Sequence, residues 1–123
     1  MTTSTTPSTA SLDRELNEMV LEGRILEAFD RFYALDCEMQ ENSEPPTVGK
    51  TANREREQAF VDSIETFHGA EILASAVHGD VSFSEWRMDV TFKGGHRAEL
   101  AQVAVRRWKD GEVAHERFYY NKQ

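Results

Sequence analysis

Two glycine-containing turns divide residues 81–120 into three segments that alternate between apolar and polar residues. Gly94-Gly95 separates Val81–Phe92 from Arg97–Lys109, and Asp110-Gly111 separates the latter from a third segment that ends at Tyr120. Both dipeptides suit two-residue hairpin loops, because the central residues of such loops have positive φ. The sequence therefore predicts a three-stranded antiparallel meander.

Two-residue loops would also determine the register of the three strands. Trp86 would then lie opposite Val103, Val103 opposite Phe118, and Val105 opposite Glu116. One face would be apolar with a single acid: Ser84, Trp86, Met88, Val90, Ala101, Val103, Val105, Glu116, Phe118 and Tyr120. The other face would be polar: Glu85, Arg87, Asp89, Gln102, Arg106, His115, Arg117 and Tyr119.

The apolar face of this predicted sheet is a candidate pocket wall. We expect its aromatic and aliphatic side chains, together with a tyrosine that precedes the sheet, to bind a ligand: Tyr33, Trp86, Met88, Val103, Val105, Phe118 and Tyr120. The same stripe would also suit an ordinary hydrophobic core, and a tyrosine hydroxyl usually finds a hydrogen-bond partner when it is buried. Both interpretations are compatible with one sheet.

The chain before the meander predicts three helices. Apolar residues at helical spacing indicate a helix from Ser11 to about residue 22, a second from residue 25 to about residue 36, and a third over residues 51–67 with Thr51 as its cap. The charged run 54–57 in the third helix is expected to face solvent. Pro45-Pro46 indicates an irregular segment over residues 37–50. A strand over residues 70–78 would precede the meander.

These elements predict one α+β domain over residues 11–123, with three N-terminal helices packed on a curved antiparallel sheet. Residues 1–10 contain almost nothing to bury, so they are predicted to be a disordered tail.

The composition narrows the functional classes. A formal net charge of −8, without a basic stripe, argues against binding to nucleic acid or to an anionic membrane. The sequence has neither a secretory signal nor an apolar run of about 20 residues, and its single cysteine, Cys37, excludes an internal disulfide. We therefore expect a cytoplasmic protein. Dispersed histidines and the absence of a glycine-rich phosphate loop predict neither a metal site nor a cofactor.

Four short motifs resemble the SnoaL-like branch of the nuclear transport factor 2-like superfamily. They are residues 32–36 (FYALD), 45–50 (PPTVGK), 106–113 (RRWKDGEV) and 116–121 (ERFYYN), and the resemblance covers about residues 12–121. It implies a cone-shaped α+β fold with an internal pocket for a small hydrophobic molecule, and a homodimer formed through the outer face of the sheet. The superfamily includes ketosteroid isomerases, polyketide cyclases, epoxide hydrolases and non-catalytic binding domains, so the fold does not select an activity.

The resemblance also allows a comparison with the ketosteroid isomerase site. The general-base position falls on Glu41, the protonated acid of the oxyanion hole falls on Val103, and the oxyanion tyrosine falls near Leu16 or Asn17. Two of the three groups are therefore missing, which argues against steroid isomerisation by that mechanism. A cyclase-type reaction, which needs one positioned carboxyl group, stays open.

Glu116 and Glu41 are the candidate catalytic residues. A carboxylate on an apolar face costs several kcal/mol unless it is paired or protonated. Burial without a cation would raise the pKa of Glu116 toward neutrality, as a general acid or base requires. The alternative is a structural salt bridge to an arginine such as Arg24 or Arg31, or to one from the loops. The sequence thus supports either an isomerase- or cyclase-type enzyme or a non-catalytic binding or assembly module.

Overall fold

A computed structural model describes residues 7–121 of the chain. The helices are α1 (Thr9–Leu21), α2 (Ile25–Phe32) and α3 (Lys50–Ser63). The strands are β1 (Tyr33–Glu41), β2 (Thr47–Val48), β3 (Ile64–His78), β4 (Val81–Phe92), β5 (Arg97–Lys109) and β6 (Glu112–Tyr119). They form one sheet in the order β2-β1-β6-β5-β4-β3. The predicted α+β class is confirmed, although the sheet is mixed because β1 runs parallel to β6.

The first two helices follow the predicted apolar spacing. In α1, Leu16 and Met19 are buried, and in α2 all three predicted core positions that follow Ile25 are buried (Ala28, Phe29 and Phe32). Helix α1 begins earlier than expected, because the hydroxyl of Ser8 accepts a hydrogen bond from the backbone nitrogen of Ser11 at 3.1 Å and caps the helix. Residues 1–6 of the predicted tail lie outside the described part of the chain.

The prediction of an irregular segment after α2 is wrong. Helix α2 ends at Phe32, and the next residues form β1, a nine-residue strand in which Met39 lies beside Glu116 of β6. The strand pairs with β2, which follows it after a short connection, and with β6, which is distant in sequence. Cys37 of β1 is fully buried, as expected for a small apolar residue.

Helix α3 is shorter than predicted and presents a different face to the core. It ends at Ser63, and Ile64 already belongs to β3. Its N-cap is Gly49 rather than Thr51. Ala59, which the sequence places in the buried stripe, is exposed, whereas Asn53 is fully buried.

The predicted register of β5 against β4 is wrong by one residue. The hairpin loop contains three residues, 93–95, because Phe92 donates its backbone N–H to the carbonyl of His96 at 2.7 Å and closes the loop there. Trp86 consequently lies opposite Gln102, not Val103. Since side chains alternate along a strand, this single extra loop residue turns every side chain of β5 to the other face of the sheet.

A bulge in the second hairpin compensates for the register shift of β5. Because of this bulge, β6 presents its predicted residues to the inner face of the sheet. The Asp110-Gly111 turn has two residues at positive φ, as predicted. The pairing then shifts between Arg107 and Trp108, and Ala104 lies opposite Phe118. The inner faces of β4 and β6 are therefore as predicted, whereas β5 presents Leu100, Gln102, Ala104, Arg106 and Trp108 to the inside.

The helices pack against this inner face. Trp108 of β5 is buried and meets the ring of Phe32 edge to face at 6.1 Å between ring centroids. The core cluster joins side chains of α1, α2, β1, β5 and β6. In the described residues, no helix has the length and apolar character needed to cross a membrane.

Asn53 connects α3 to the segment that contains β2. Its amide nitrogen donates to the carbonyl oxygens of Cys37, Thr47 and Gly49 at 3.2, 2.9 and 2.9 Å. These bonds hold the chain that leads from β1 into α3, in place of the side-chain cap that the helix lacks.

We predict that Asn53→Ala lowers the free energy of unfolding by about 2–4 kcal/mol, because three carbonyl groups lose an amide donor and a fully buried side chain is truncated. Urea denaturation measures the loss. Thr51→Ala, on the exposed side of the same helix, is the control and should change stability by less than about 0.5 kcal/mol. A comparable loss in both variants would contradict the role given to Asn53.

Candidate active site

A cavity of about 200 Å³ lies between the helices and the inner face of the sheet. Its apolar lining comes from both layers: Leu16, Val20, Ile25, Ala28, Phe29, Phe60, Trp86, Met88, Leu100, Ala104 and Phe118. Its polar lining consists of Tyr33, Glu41, Arg56, Glu57, Gln102, Arg106 and Glu116. An apolar cavity of about 150 Å³ holds benzene, so this cavity has room for a molecule of one or two rings.

The deep end of the cavity is built around the guanidinium group of Arg106, which is buried. Its Nε donates to Oε2 of Glu116 at 2.7 Å. Its Nη1 donates to Oδ1 of Asp13 at 2.8 Å and to Oδ1 of Asn17 at 2.6 Å. Burial lowers the pKa of Arg106. The charge of Glu116 and the other partners of Arg106 outweigh this effect, so the pKa of Arg106 lies above its usual value. Arg106 is therefore a permanent cation that joins α1, β5 and β6.

Glu116 uses both of its oxygens within this network. Oε1 accepts the hydroxyl hydrogen of Tyr33 at 2.5 Å, while Oε2 accepts from Arg106. Burial, with the nearby Glu116 carboxylate, raises the pKa of Tyr33 well above its ordinary value, so its hydroxyl stays protonated and donates. The salt-bridge alternative for Glu116 is thus the one that the structure shows.

The partner of Glu116 differs from the arginines that the sequence suggested. Arg24 pairs with Glu27 at 2.7 Å and Arg31 lies 3.6 Å from Glu15, both at the surface. Arg106 was assigned to the outer face of the sheet, so the error of one residue in the β5 register concealed its pairing with Glu116.

Glu57 is a residue of the cavity that sequence reasoning missed. It projects from α3, is partly buried, and makes no hydrogen bond or ion pair with any residue between 7 and 121. Burial, followed by repulsion from Glu116 and Glu41, raises the pKa of Glu57 to about 7, and the attraction of Arg56 and Arg54 only partly opposes this. Near neutral pH this carboxyl group is present in both its protonated and its ionised form.

The charged run that contains Glu57 was predicted to face solvent, but its members point in different directions. Successive residues of an α-helix are rotated by about 100°. Glu55 is exposed and Arg54 pairs with Asp30 at 2.8 Å, whereas Arg56 and Glu57 line the cavity. Asn53, Glu57 and Phe60 have the spacing i, i+4 and i+7, which places them on one face of the helix. This spacing is the sequence pattern that would have indicated an inward position for Glu57.

Glu41 and Arg56 pair within the lining, across the gap between β1 and α3. Their side chains are 3.3 Å apart and are 39% and 37% exposed. An exposed pair of this kind contributes about 0–1 kcal/mol to stability, so a ligand can separate the two groups at little cost. The structure thus brings Glu41 into the same cavity as Glu57 and Glu116.

Three of the predicted ligand-binding residues do not line this cavity. Val103 and Val105 lie on the outer face of the sheet because of the register shift in β5, and Val103 is 37% exposed. Tyr120 borders a shallow depression that also contains Tyr119 and Val103. The other four, Tyr33, Trp86, Met88 and Phe118, are in the lining. Among the described residues, no group of three or more His, Cys, Asp or Glu side chains is arranged to hold a metal ion.

The elevated pKa of Glu57 predicts a pH-dependent effect of Glu57→Gln on stability. Because the folded-state pKa is about 7 and the ordinary value is 4.5, the folded protein binds the carboxyl proton more tightly, and stability falls as pH rises between these values. Glutamine removes this penalty. Urea denaturation should find the variant more stable than the wild type by about 2–3 kcal/mol at about pH 8, and by less than about 1 kcal/mol at about pH 5.

Glu55→Gln, on the exposed side of α3, is the control and should show no such dependence. A constant difference between Glu57→Gln and the wild type at both pH values would show that Glu57 titrates at its ordinary pKa.

Solved structures with the same architecture include three bacterial proteins. A protein from Mesorhizobium loti, provisionally named a SnoaL-like polyketide cyclase, is 28% identical over 93% of this chain and 100% of its own, with a TM-score of 0.82. A provisionally named polyketide cyclase from Xanthomonas campestris is 20% identical over 92% of this chain and 90% of its own, with a TM-score of 0.75. A provisionally named isomerase from Rhodopseudomonas palustris is 14% identical over 94% and 90%, with a TM-score of 0.74.

No functionally curated protein has a significantly matching sequence. The sequence profile of the SnoaL-like domain, in contrast, matches residues 7–120, which is nearly the whole chain. This match agrees with the helix-and-sheet cavity described above, and the chain belongs to the SnoaL-like domain family.

Proposed function

We propose that this protein is an acid/base enzyme of the isomerase or cyclase type, which transfers a proton to or from a small hydrophobic substrate through Glu57. The observation that carries the proposal is a carboxyl group that lines a mostly apolar cavity, without a bonded partner in the described chain and with a pKa of about 7. A general acid or base is most effective when its pKa is close to the working pH.

Glu116, the stronger candidate from the sequence, suits a positioning role better than proton transfer. Both of its oxygens are engaged, one by the hydroxyl of Tyr33 and the other by the permanent cation Arg106. In this proposal Glu116 holds Arg106 and Tyr33 in place and contributes to the elevated pKa of Glu57. Glu41 contributes by pairing with Arg56 and by repelling the charge of Glu57.

Arg106 supplies the second part of the proposed chemistry. Its hydrogen bonds to the protein use Nε and Nη1, so Nη2 is the guanidinium nitrogen that remains for a ligand. A cation inside a cavity stabilises negative charge that develops on a substrate oxygen. Removal of a proton next to a carbonyl group creates such a charge. The pair of Glu57 as base and Arg106 as electrophile therefore fits enolisation of a carbonyl compound.

The proposal predicts that the protein catalyses exchange of the protons next to the carbonyl group of a small cyclic ketone. 2-Tetralone has two rings and suits the cavity of about 200 Å³. Proton NMR in deuterated water at neutral pH should show exchange faster than the buffer rate. Glu57→Gln should reduce the enzymatic rate at least about 100-fold, the usual contribution of a general base.

Glu55→Gln should keep the wild-type exchange rate, since Glu55 faces away from the cavity. No exchange above the buffer rate, in a folded protein that binds the ketone, would overturn enolisation and favour the non-catalytic binding module.

We also propose a homodimer through the outer face of the sheet. Four large side chains form an outer apolar patch on β3, β4, β5 and β6, each between 37% and 47% exposed: Leu73, Phe83, Val103 and Tyr119. Apolar groups exposed together on one sheet face are typical of an interaction site. A second copy of the same patch would cover them, because a two-fold interface is self-complementary.

Light scattering should give twice the chain mass of 14.0 kDa at micromolar concentration. Val103→Glu should return the mass to that of one chain, because it places a charge in the patch. Val48→Glu is the matched control, since Val48 is 63% exposed on β2 at the opposite edge of the sheet. A single-chain mass for the wild type would refute the dimer.

A further inference from the structure

The cavity contains more negative than positive groups. Among the described residues that line it, three carboxyl groups (Glu41, Glu57 and Glu116) accompany two guanidinium groups (Arg56 and Arg106), and Asp13 bonds to Arg106 from behind. Arg106 is already shared by two carboxylates at the deep end, and Arg56 pairs with Glu41. Glu57 is the carboxyl group of the lining that has neither an ion pair nor a hydrogen bond within residues 7–121.

A carboxyl group in such a place is stabilised either by a proton or by a cation. Among the described residues, the two cations near Glu57 are already paired, Arg56 with Glu41 and Arg54 with Asp30, and neither forms an ion pair with Glu57. The lining of the same cavity includes four further aromatic residues, Phe29, Phe60, Trp86 and Phe118. Aromatic ring faces attract cations, and ammonium ligands are bound by combinations of such rings with a carboxylate.

We propose that the ligand of this cavity is a small hydrophobic cation, an amine or quaternary ammonium compound of one or two rings, with its charged nitrogen paired to Glu57. The proposal rests on the same cavity and the same Glu57 as the proposed function, and it names the chemical class of the substrate. The cavity volume of about 200 Å³ limits the size of the ligand. The carboxyl group of Glu57, which has no ion-pair partner among the described residues, favours a ligand of positive charge.

An anionic ligand fits less well. Its charge could reach Nη2 of Arg106, a cation already shared by Glu116 and Asp13, or would have to compete with Glu41 for Arg56, and it would also lie close to Glu57. Each of these contacts brings a full negative charge close to carboxylates that already surround the cation, so an anion gains less in this cavity than a cation paired to Glu57.

Cation binding should be linked to proton release. The charged and titratable groups that face Glu57 come from three elements: Tyr33 and Glu41 of β1, Glu116 of β6, and Arg54 and Arg56 of its own helix. Their combined effect with burial leaves Glu57 partly protonated at neutral pH. A bound cation favours the ionised form, so the carboxyl proton passes to the buffer, and affinity for a cation rises as pH increases through about 7.

Three probes with one common scaffold test the inference by isothermal titration calorimetry: 2-phenylethylammonium, 2-phenylethanol and phenylacetate, which are positive, neutral and negative. At about pH 8 the ammonium probe should bind at least about tenfold more tightly than the alcohol, and phenylacetate most weakly. At about pH 5.5 the advantage of the ammonium probe should shrink to about threefold or less, because Glu57 is then protonated. Titrations near pH 7 in two buffers of different ionisation enthalpy should show proton release.

Glu57→Gln should bind the ammonium probe and the alcohol equally and release no proton, while Glu55→Gln should behave as the wild type. Equal binding of the ammonium probe and the alcohol by the wild type, or tighter binding of phenylacetate, would overturn the inference. The ketone exchange measurement separates the two proposals. Exchange that depends on Glu57 without cation preference refutes only the substrate class, and cation preference without exchange refutes only the proton-transfer activity.

Discussion

The structure depends on how the charge of Arg106 is accommodated. Moving a guanidinium group from water into a protein interior costs several kcal/mol, and the cost is offset only when partners are well placed. Here Asp13 and Asn17 of α1 and Glu116 of β6 are those partners, at 2.6–2.8 Å. The first helix is therefore attached to the middle of the sheet by a charged network as well as by apolar packing.

This network continues beyond the ion pairs. Asp13 also accepts a hydrogen bond from the hydroxyl of Ser82 at 2.7 Å, and Ser82 accepts one from the indole nitrogen of Trp108 at 3.0 Å. Removing Arg106 would leave two buried carboxylates unpaired, which typically costs about 3–5 kcal/mol. The polar groups at the deep end of the cavity bond to one another in a single network, and such a network keeps this end of the cavity rigid.

The same network gives the two carboxyl groups different environments. It engages both oxygens of Glu116, while the charge of Glu116 raises the pKa of Glu57. Glu57 lies in the same cavity without a bonded partner among the described residues. The proposed division of roles, with Glu116 for positioning and Glu57 for proton transfer, rests on this difference.

The sequence by itself determined the α+β class, the apolar faces of α1, α2, β4 and β6, and the two turns of the meander, because local periodicity and turn chemistry carry that information. Tertiary structure decided the rest. A three-residue loop after Phe92 and a bulge beside Trp108 turned β5 over. This brought Arg106 inside, where it pairs with Glu116, and moved Val103 outside. One-residue shifts of this kind are set by the strand pairing itself, and a two-residue and a three-residue glycine loop cannot be distinguished from local sequence.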